Sequence, residues 1–276
     1  MSFVAASLFL LVNVMSAAQK EKVKDSKAGV PPSITAGTDI DRGQSYTHYM
    51  AGHMLEEQGR FREAIDEYKL AIKFDPTSSF LSSELASAYA RNSAIKDAVA
   101  EAETAIKKDA NNLEAHRLLG NIYRSLIGET ETVPTGPDSM LQKALTQYEA
   151  ITQIDPTSTD DWLTLGQLYR RANRNEEALR TFRHCLEIEP DSEGALTNLA
   201  FLYTDMSDND QAIALLEKNL PRKVDSAQLY VAMGYAYERS KNFKKAIEFY
   251  RKALVLDHTN LNVNRSLAES LLQDGQ

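Results

Sequence analysis

The sequence predicts an all-α fold, a solenoid of antiparallel helix pairs, and three observations carry that expectation. From Ser45 onward the chain resembles itself at a spacing of about 34 residues, a length that fits one helix-turn-helix unit. In most units a small residue follows a leucine in the first half, and an alanine with an aromatic residue four places later opens the second half. Glycine and proline are scarce, 12 and 8 in 276 residues, whereas alanine, leucine and glutamate dominate, a balance that leans towards helix.

The N-terminal part stands apart from the repeats. Phe3 to Ala18 is an apolar run of signal-peptide length, short for a membrane span, and ends in the small residues Ser16, Ala17 and Ala18 before Gln19. Residues 1–18 are therefore expected to form a secretory signal cleaved after Ala18, making the protein exported, periplasmic or secreted. The alternative is an uncleaved N-terminal anchor. No basic residue precedes the run, whereas Lys20, Lys22, Lys24 and Lys27 follow it, and that flank could be held in the cytoplasm. Residues 19–44, with Val30-Pro31-Pro32 and Thr35-Ala36-Gly37, lack apolar periodicity and are expected to be a flexible linker.

The repeat units then follow in order. The first, 45–78, has Ala51-Gly52-x2-Leu55, Ala64-x3-Tyr68, Ala71 and Pro76. The second, 79–112, has Leu85-Ala86-x2-Tyr89, Ala98 and Ala105, with Ala110 where proline is expected. The third, 113–158, opens with Leu119-Gly120-x2-Tyr123 and resumes at Ala144-x3-Tyr148 and Pro156. Between those halves lie about 12 extra residues, 127–138, rich in turn formers; such an insertion maps to a loop, and lengthening a surface loop costs little. The fourth unit, 159–192, reads Trp162-x2-Leu165-Gly166-x2-Tyr169, then Ala178-x3-Phe182, then Pro190. The fifth, 193–226, keeps Leu199-Ala200-x2-Tyr203, Ala212 and Leu216, and the sixth, 227–260, keeps Met233-Gly234-x2-Tyr237, Ala246-x3-Tyr250 and Ala253. A terminal helix, 261–276, begins a seventh unit with Leu267-Ala268-x2-Leu271, and its polar Asn262, Arg265, Glu269 and Gln273 suit a solenoid cap.

The fourth unit carries every landmark of the tetratricopeptide repeat (TPR), so the chain resembles that family over residues 45–276. The landmarks have physical reasons. Small residues let two helices approach closely, the aromatics fill the space so opened, and Pro76, Pro156 and Pro190 end the second helices. Gly59, Asn173, Ser207 and Lys241 fall at the tight turn between helices. The resemblance implies a right-handed superhelix with one continuous core, and a protein that binds other proteins or peptides.

A search for chemistry supports that direction. The formal charge of −8 argues against a nucleic-acid binder. The five histidines form no zinc-binding spacing, and no phosphate-binding, dinucleotide-binding or nucleophile-elbow motif occurs. His48 and His116 occupy the slot of Trp162, a packing role. Cys185, the single cysteine, takes the small slot of Ala71 and Ala253 and is expected to be a buried, inert thiol. No catalytic, cofactor-binding or metal-binding residue is expected, and the protein is expected not to be an enzyme.

In TPR proteins the second, fifth, ninth, twelfth and thirteenth residues of the repeat line a concave groove. Carried over by register, these are Tyr46, Tyr49, His53 and Phe80 at the entrance, and Arg91, Arg117, Asn121, Arg124, Gln167, Arg170 and Arg171 in the middle. Phe201, Tyr235 and Arg239 lie at the far end. Tyrosine and arginine are frequent interface anchors, and clustered arginines suit a partner with acidic groups. The competing reading is that these arginines pair with carboxylates of the chain itself, such as Glu114 or Asp160. A carboxylate clamp for chaperone C-termini begins with Arg117 and Asn121 but fails at Thr164, Gly194 and Asn198. The expected function is a non-enzymatic scaffold holding a protein or peptide partner. The alternatives are the substrate-binding arm of a larger enzyme such as a glycosyltransferase, or a membrane-tethered assembly factor in which the N-terminal anchor supplies the only membrane contact.

Overall fold

The computed structural model describes residues 39–127, 139–220 and 225–275. The signal or anchor at 1–18, the linker up to residue 38 and the insertion from residue 128 to 138 lie outside them. Among the described residues there are thirteen helices and no strand. In chain order they are α1 (Asp39–Glu57), α2 (Phe61–Phe74), α3 (Ser79–Arg91), α4 (Ile95–Lys108), α5 (Leu113–Ser125), α6 (Met140–Ile154) and α7 (Thr159–Arg171). They continue as α8 (Asn175–Ile188), α9 (Glu193–Asp205), α10 (Asn209–Asn219), α11 (Ala227–Arg239), α12 (Phe243–Leu256) and α13 (Leu261–Gln273). The contacts fall first within the pairs α1/α2, α3/α4, α5/α6, α7/α8 and α11/α12, then between successive pairs, as an all-α TPR solenoid requires. None of the described helices is long and apolar enough to cross a membrane.

Two boundaries differ from expectation. Helix α1 starts at Asp39, upstream of Ser45, so the last part of the expected linker is helical. Asp39 and Asp41 occupy its first turn, where carboxylates are favoured by the helix dipole. Helix α10 is short, 11 residues against 14 for α8 and α12. Pro221 follows Leu220 in the sequence and brings no backbone N–H to extend the helix. With α10 curtailed, α9 packs on α11 more extensively than any other two successive first helices.

The second helices stop in the same register with or without proline. Helix α2 ends two residues before Pro76, and α4 ends at the same place although Ala110 stands in the proline slot. The shared device is an acid after the helix: Asp75, Asp155 and Asp257 each accept from the backbone N–H and hydroxyl of the threonine two residues on. Asp109 accepts from Asn111 N at 2.9 Å. These side-chain turns compete with helix continuation, so proline reinforces a stop that the acid already encodes. The next first helix is then capped by a serine or asparagine: Ser78, Asn112, Ser158, Ser226 and Asn260 accept from the N–H three residues on.

Close approach within a pair rests on one complementary contact. A Cβ added at Gly52 would stand 2.8 Å from the Tyr68 ring, at Gly120 2.9 Å from Tyr148, and at Gly234 2.6 Å from Tyr250. Gly166 bears the same relation to Phe182, which is fully buried. In the second and fifth units the small residue is Ala86 or Ala200, and the opposite residue is Ala102 or Leu216 in place of an aromatic. The tight turns carry positive φ at Gly59 (73°), Asn173 (57°), Ser207 (65°) and Lys241 (62°), and also at Ser93 (63°), which the sequence reading passed over. The core is not a single continuous cluster. Its buried residues fall into three successive blocks, centred on Tyr68, on Phe182 and on Met233, and the last two share Leu186, Ile213 and Leu215 at their margin.

Candidate functional site: the inner face of the first helices

Contacts between neighbouring pairs run partly through first helices, α3 on α5, α7 on α9 and α9 on α11. The residues expected for the groove lie on these first helices, and two of them also meet the second helix of their own pair, Tyr49 at 6.1 Å from the Tyr68 ring and Asn121 through the Tyr148 hydroxyl. At the N-terminal end, Tyr49 of α1 is the hub of an aromatic group. Its ring lies 5.2 Å from Phe80 of α3, edge to face, 6.4 Å from Tyr46 and 6.2 Å from His53. Burial, then the charge of Glu84, hold the Tyr49 hydroxyl above its ordinary pKa. Tyr46 remains 59% exposed. Beneath this group Glu56 is buried and accepts from the Tyr68 hydroxyl at 2.9 Å through Oε2. Arg91 reaches Glu56 Oε1 only at 3.6 Å, an ion-pair distance too long for a hydrogen bond.

In the middle, the guanidiniums are engaged by the chain itself. Arg117 of α5 contacts Asp161 at 2.7 Å, Asp155 at 3.3 Å and Glu114 at 3.8 Å. Burial works against its charge, but Asp161, Glu114 and Asp155 together raise its pKa above the ordinary value. Asp160, named as a partner from the sequence, instead accepts from Thr164 through its backbone carbonyl. Asn121 Oδ1 accepts from Tyr148 at 2.9 Å and from Arg124 at 3.3 Å, while Arg124 is otherwise exposed. Gln167 and Arg171 are exposed on α7.

At the far end three helices meet. Arg170 of α7 donates from Nε and Nη2 to Asp205 Oδ2 of α9 at 2.9 and 2.8 Å, and its guanidinium lies 5.6 Å from the Phe201 ring centre. Phe201 packs edge to face on Tyr235 of α11 at 5.7 Å. Burial, then Asp205, raise the Tyr235 pKa, against the opposing charges of Arg239 and Arg170. Arg239 is exposed at the end of α11. The first helices therefore carry two aromatic clusters, separated by a stretch of internally paired charge.

The residues that sequence reasoning missed are the carboxylates. Glu56 is the twelfth residue of its unit and Asp205 the thirteenth, both groove positions by register, but a reading weighted to aromatic and basic side chains passes over them. Glu84 and Asp161 lie outside the register and had no such signal. The slot of Trp162 is a packing and hydrogen-bonding position in the first, third and fourth units. Trp162 Nε1 donates to Pro156 O at 2.9 Å, and His116 Nε2 meets Ala110 O, the equivalent carbonyl, at 3.0 Å. His48 stacks on Phe74 at 5.6 Å and contacts Glu67 at 2.7 Å. Cys185 is fully buried, and burial pushes its thiol up to about 12. Among the described residues, no three histidine, cysteine or acidic side chains are grouped to hold a metal ion. A separate cleft of about 410 Å³, lined by Trp162, Tyr169, Glu149 and His184, contains none of the expected groove residues.

Models of the tetratricopeptide repeat match residues 137–276 and residues 45–78, the latter on the boundaries expected for the first unit. The chain belongs to the tetratricopeptide-repeat family. Among solved structures this TPR chain is similar to YrrB, described as a TPR protein with an unusual peptide-binding site. That likeness has 16% identity, covers 72% of this chain and 96% of that one, and has a TM-score of 0.58. It is also similar to MamA of AMB-1 (18% identity, 66% of this chain, 91% of that chain, TM-score 0.52). MamA from Desulfovibrio magneticus RS-1 gives 17% identity, 69% and 100% coverage and a TM-score of 0.53. At such identities the likeness concerns the fold. A search of curated proteins returned no match.

Proposed function

We propose that this TPR chain is a non-enzymatic scaffold that holds a protein or peptide partner along the inner face of its first helices. The observation that carries the reading is the pair of aromatic clusters on that face, Tyr46/Tyr49/Phe80 and Phe201/Tyr235. Aromatic side chains offered on a rigid helical surface give large contact area for little ordering entropy, and tyrosine is enriched at binding hot spots. The partner is read as a segment long enough to touch both clusters. Export is part of the same proposal and rests on the apolar run Phe3 to Ala18 and its small-residue end.

The test is affinity capture from the native extract with the full chain, beside variants Tyr49→Ala and Phe201→Ala/Tyr235→Ala. A partner retained by the wild type and lost from both variants supports the reading; one retained equally by all three refutes it. Mass spectrometry of the native N-terminus decides export, since a protein beginning at Gln19 is cleaved and one beginning at Met1 is anchored.

A further inference from the structure

The N-terminal cluster holds more negative charge than it neutralises. Glu56 of α1 has a side chain only 8% exposed, and its Oε1 finds no hydrogen-bond partner. Leaving a buried carboxylate oxygen without a donor costs free energy, so such an atom in a native structure calls for an explanation. Among the described residues Glu84 of α3 has no hydrogen-bond or ion-pair partner, and burial, then the charge of Glu56, raise its pKa. The charges facing Glu84 are Glu56 and His53 from α1, Arg91 from α3 and Glu114 from α5, and Glu114 is within ion-pair distance of Arg117. Arg91 is thus the permanent cation beside two carboxylates, and it is 59% exposed and at 3.6 Å from Glu56. Tyr49, which feels the charges of both Glu84 and Glu56, packs edge to face on Phe80, and aromatic π faces attract cations.

Resting on the groove reading above, we propose that the site formed by Glu84, Glu56 and Tyr49 receives a lysine or arginine side chain of the bound partner. A cation beside Glu84 offsets the Glu56–Glu84 repulsion and lies close to the Tyr49 ring. The site is chemically opposite to the middle of the groove, where Arg117 and Arg170 already hold carboxylates of this chain. The partner that fits is therefore a basic peptide, anchored at the N-terminal end of the solenoid.

The test uses the full chain and random dodecapeptides displayed on phage. Selected peptides are resynthesised with the basic residue kept or replaced by norleucine, and their affinities are measured for wild type, Glu84→Gln, Tyr46→Ala and Phe201→Ala/Tyr235→Ala. The expected result is enrichment of lysine or arginine, with binding weakened roughly ten- to hundredfold by norleucine or by Glu84→Gln. The remaining affinity of Glu84→Gln should depend less on salt. Tyr46 is exposed beside Tyr49, so Tyr46→Ala reports on the aromatic flank of the site without threatening the fold. Peptides that depend on Phe201 and Tyr235 but tolerate Glu84→Gln and Tyr46→Ala would overturn the basic-anchor proposal and leave the groove reading standing. Selected peptides indifferent to all three variants, or a library yielding no binder, would overturn both.

Discussion

Gly166→Ala probes the contact that sets the spacing within each helix pair. The new Cβ would lie 2.7 Å from Cδ1 and 2.9 Å from Cζ of Phe182, with Cε1 nearer still. The ring is fully buried and cannot swing aside without moving its neighbours. Alanine in place of glycine inside a helix gains about 1 kcal/mol of propensity, while overpacking a core costs about 1–3 kcal/mol. The net expectation is destabilisation of up to about 2 kcal/mol. Gly43→Ala in α1 provides the control, because nothing lies within 4 Å of a Cβ there, and it should be neutral or stabilising by up to about 1 kcal/mol. Urea unfolding followed by far-UV circular dichroism measures both. Phe182→Leu in the Gly166→Ala background recreates the Ala200/Leu216 pair of the fifth unit and should recover part of the loss, a coupling of roughly 0.5–3 kcal/mol. Equal effects of the two glycine substitutions, or additive behaviour of Gly166→Ala and Phe182→Leu, would refute the interlock.

Three further outcomes follow from the same packing. Tyr169 is held up to about 12 by burial and its bond to Glu149, so the stability it contributes is complete below pH 10 and lost as pH rises towards 12; in Tyr169→Phe this part of the alkaline decline, followed by circular dichroism, should disappear. Cys185, with its thiol pushed up to about 12, should resist a thiol-specific disulfide reagent at pH 8 in the native protein and react fully in guanidinium chloride. Arg183 donates to the Tyr203 hydroxyl at 2.8 Å where other interfaces use glutamate as acceptor, so Arg183→Glu should leave stability within about 0.5 kcal/mol while Arg183→Ala loses about 0.5–1.5 kcal/mol, both read by urea unfolding.

Much of the fold was legible because each landmark acts over a short span. The leucine-glycine step and the later aromatic meet within one helix pair, so their spacing is written in the sequence of that pair, as with Gly234 and Tyr250. Contacts between units are visible only after stacking. The eleventh-position tyrosines show this. Tyr169 donates to Glu149 and Tyr237 to Glu217, while Lys69 lies over Tyr89. With the 12-residue insertion of the third unit left out of the count, the partner in each case is residue 25 of the preceding unit, a regularity that spacing within a unit cannot display. The helix stop at Asp109 was likewise hidden by attention to proline, although the acid was in plain register with Asp75 and Asp155.

The same distinction governs the groove. Register places Arg117 and Arg170 correctly on the first helices but gives their charge without its surroundings. Stacking brings Asp161, the third residue of the next unit, to Arg117, and Asp205, the thirteenth residue of the next unit, to Arg170. An isolated pair of that kind contributes little stability while it stays solvated, yet it occupies the donors a partner would need. Electrostatic reading of a solenoid therefore has to be done across neighbouring units before a residue is credited to a ligand. Done that way, the net-acidic chain offers few guanidiniums unengaged by its own carboxylates along the paired stretch. The unbalanced charge lies instead at Glu56 and Glu84, beside Tyr49.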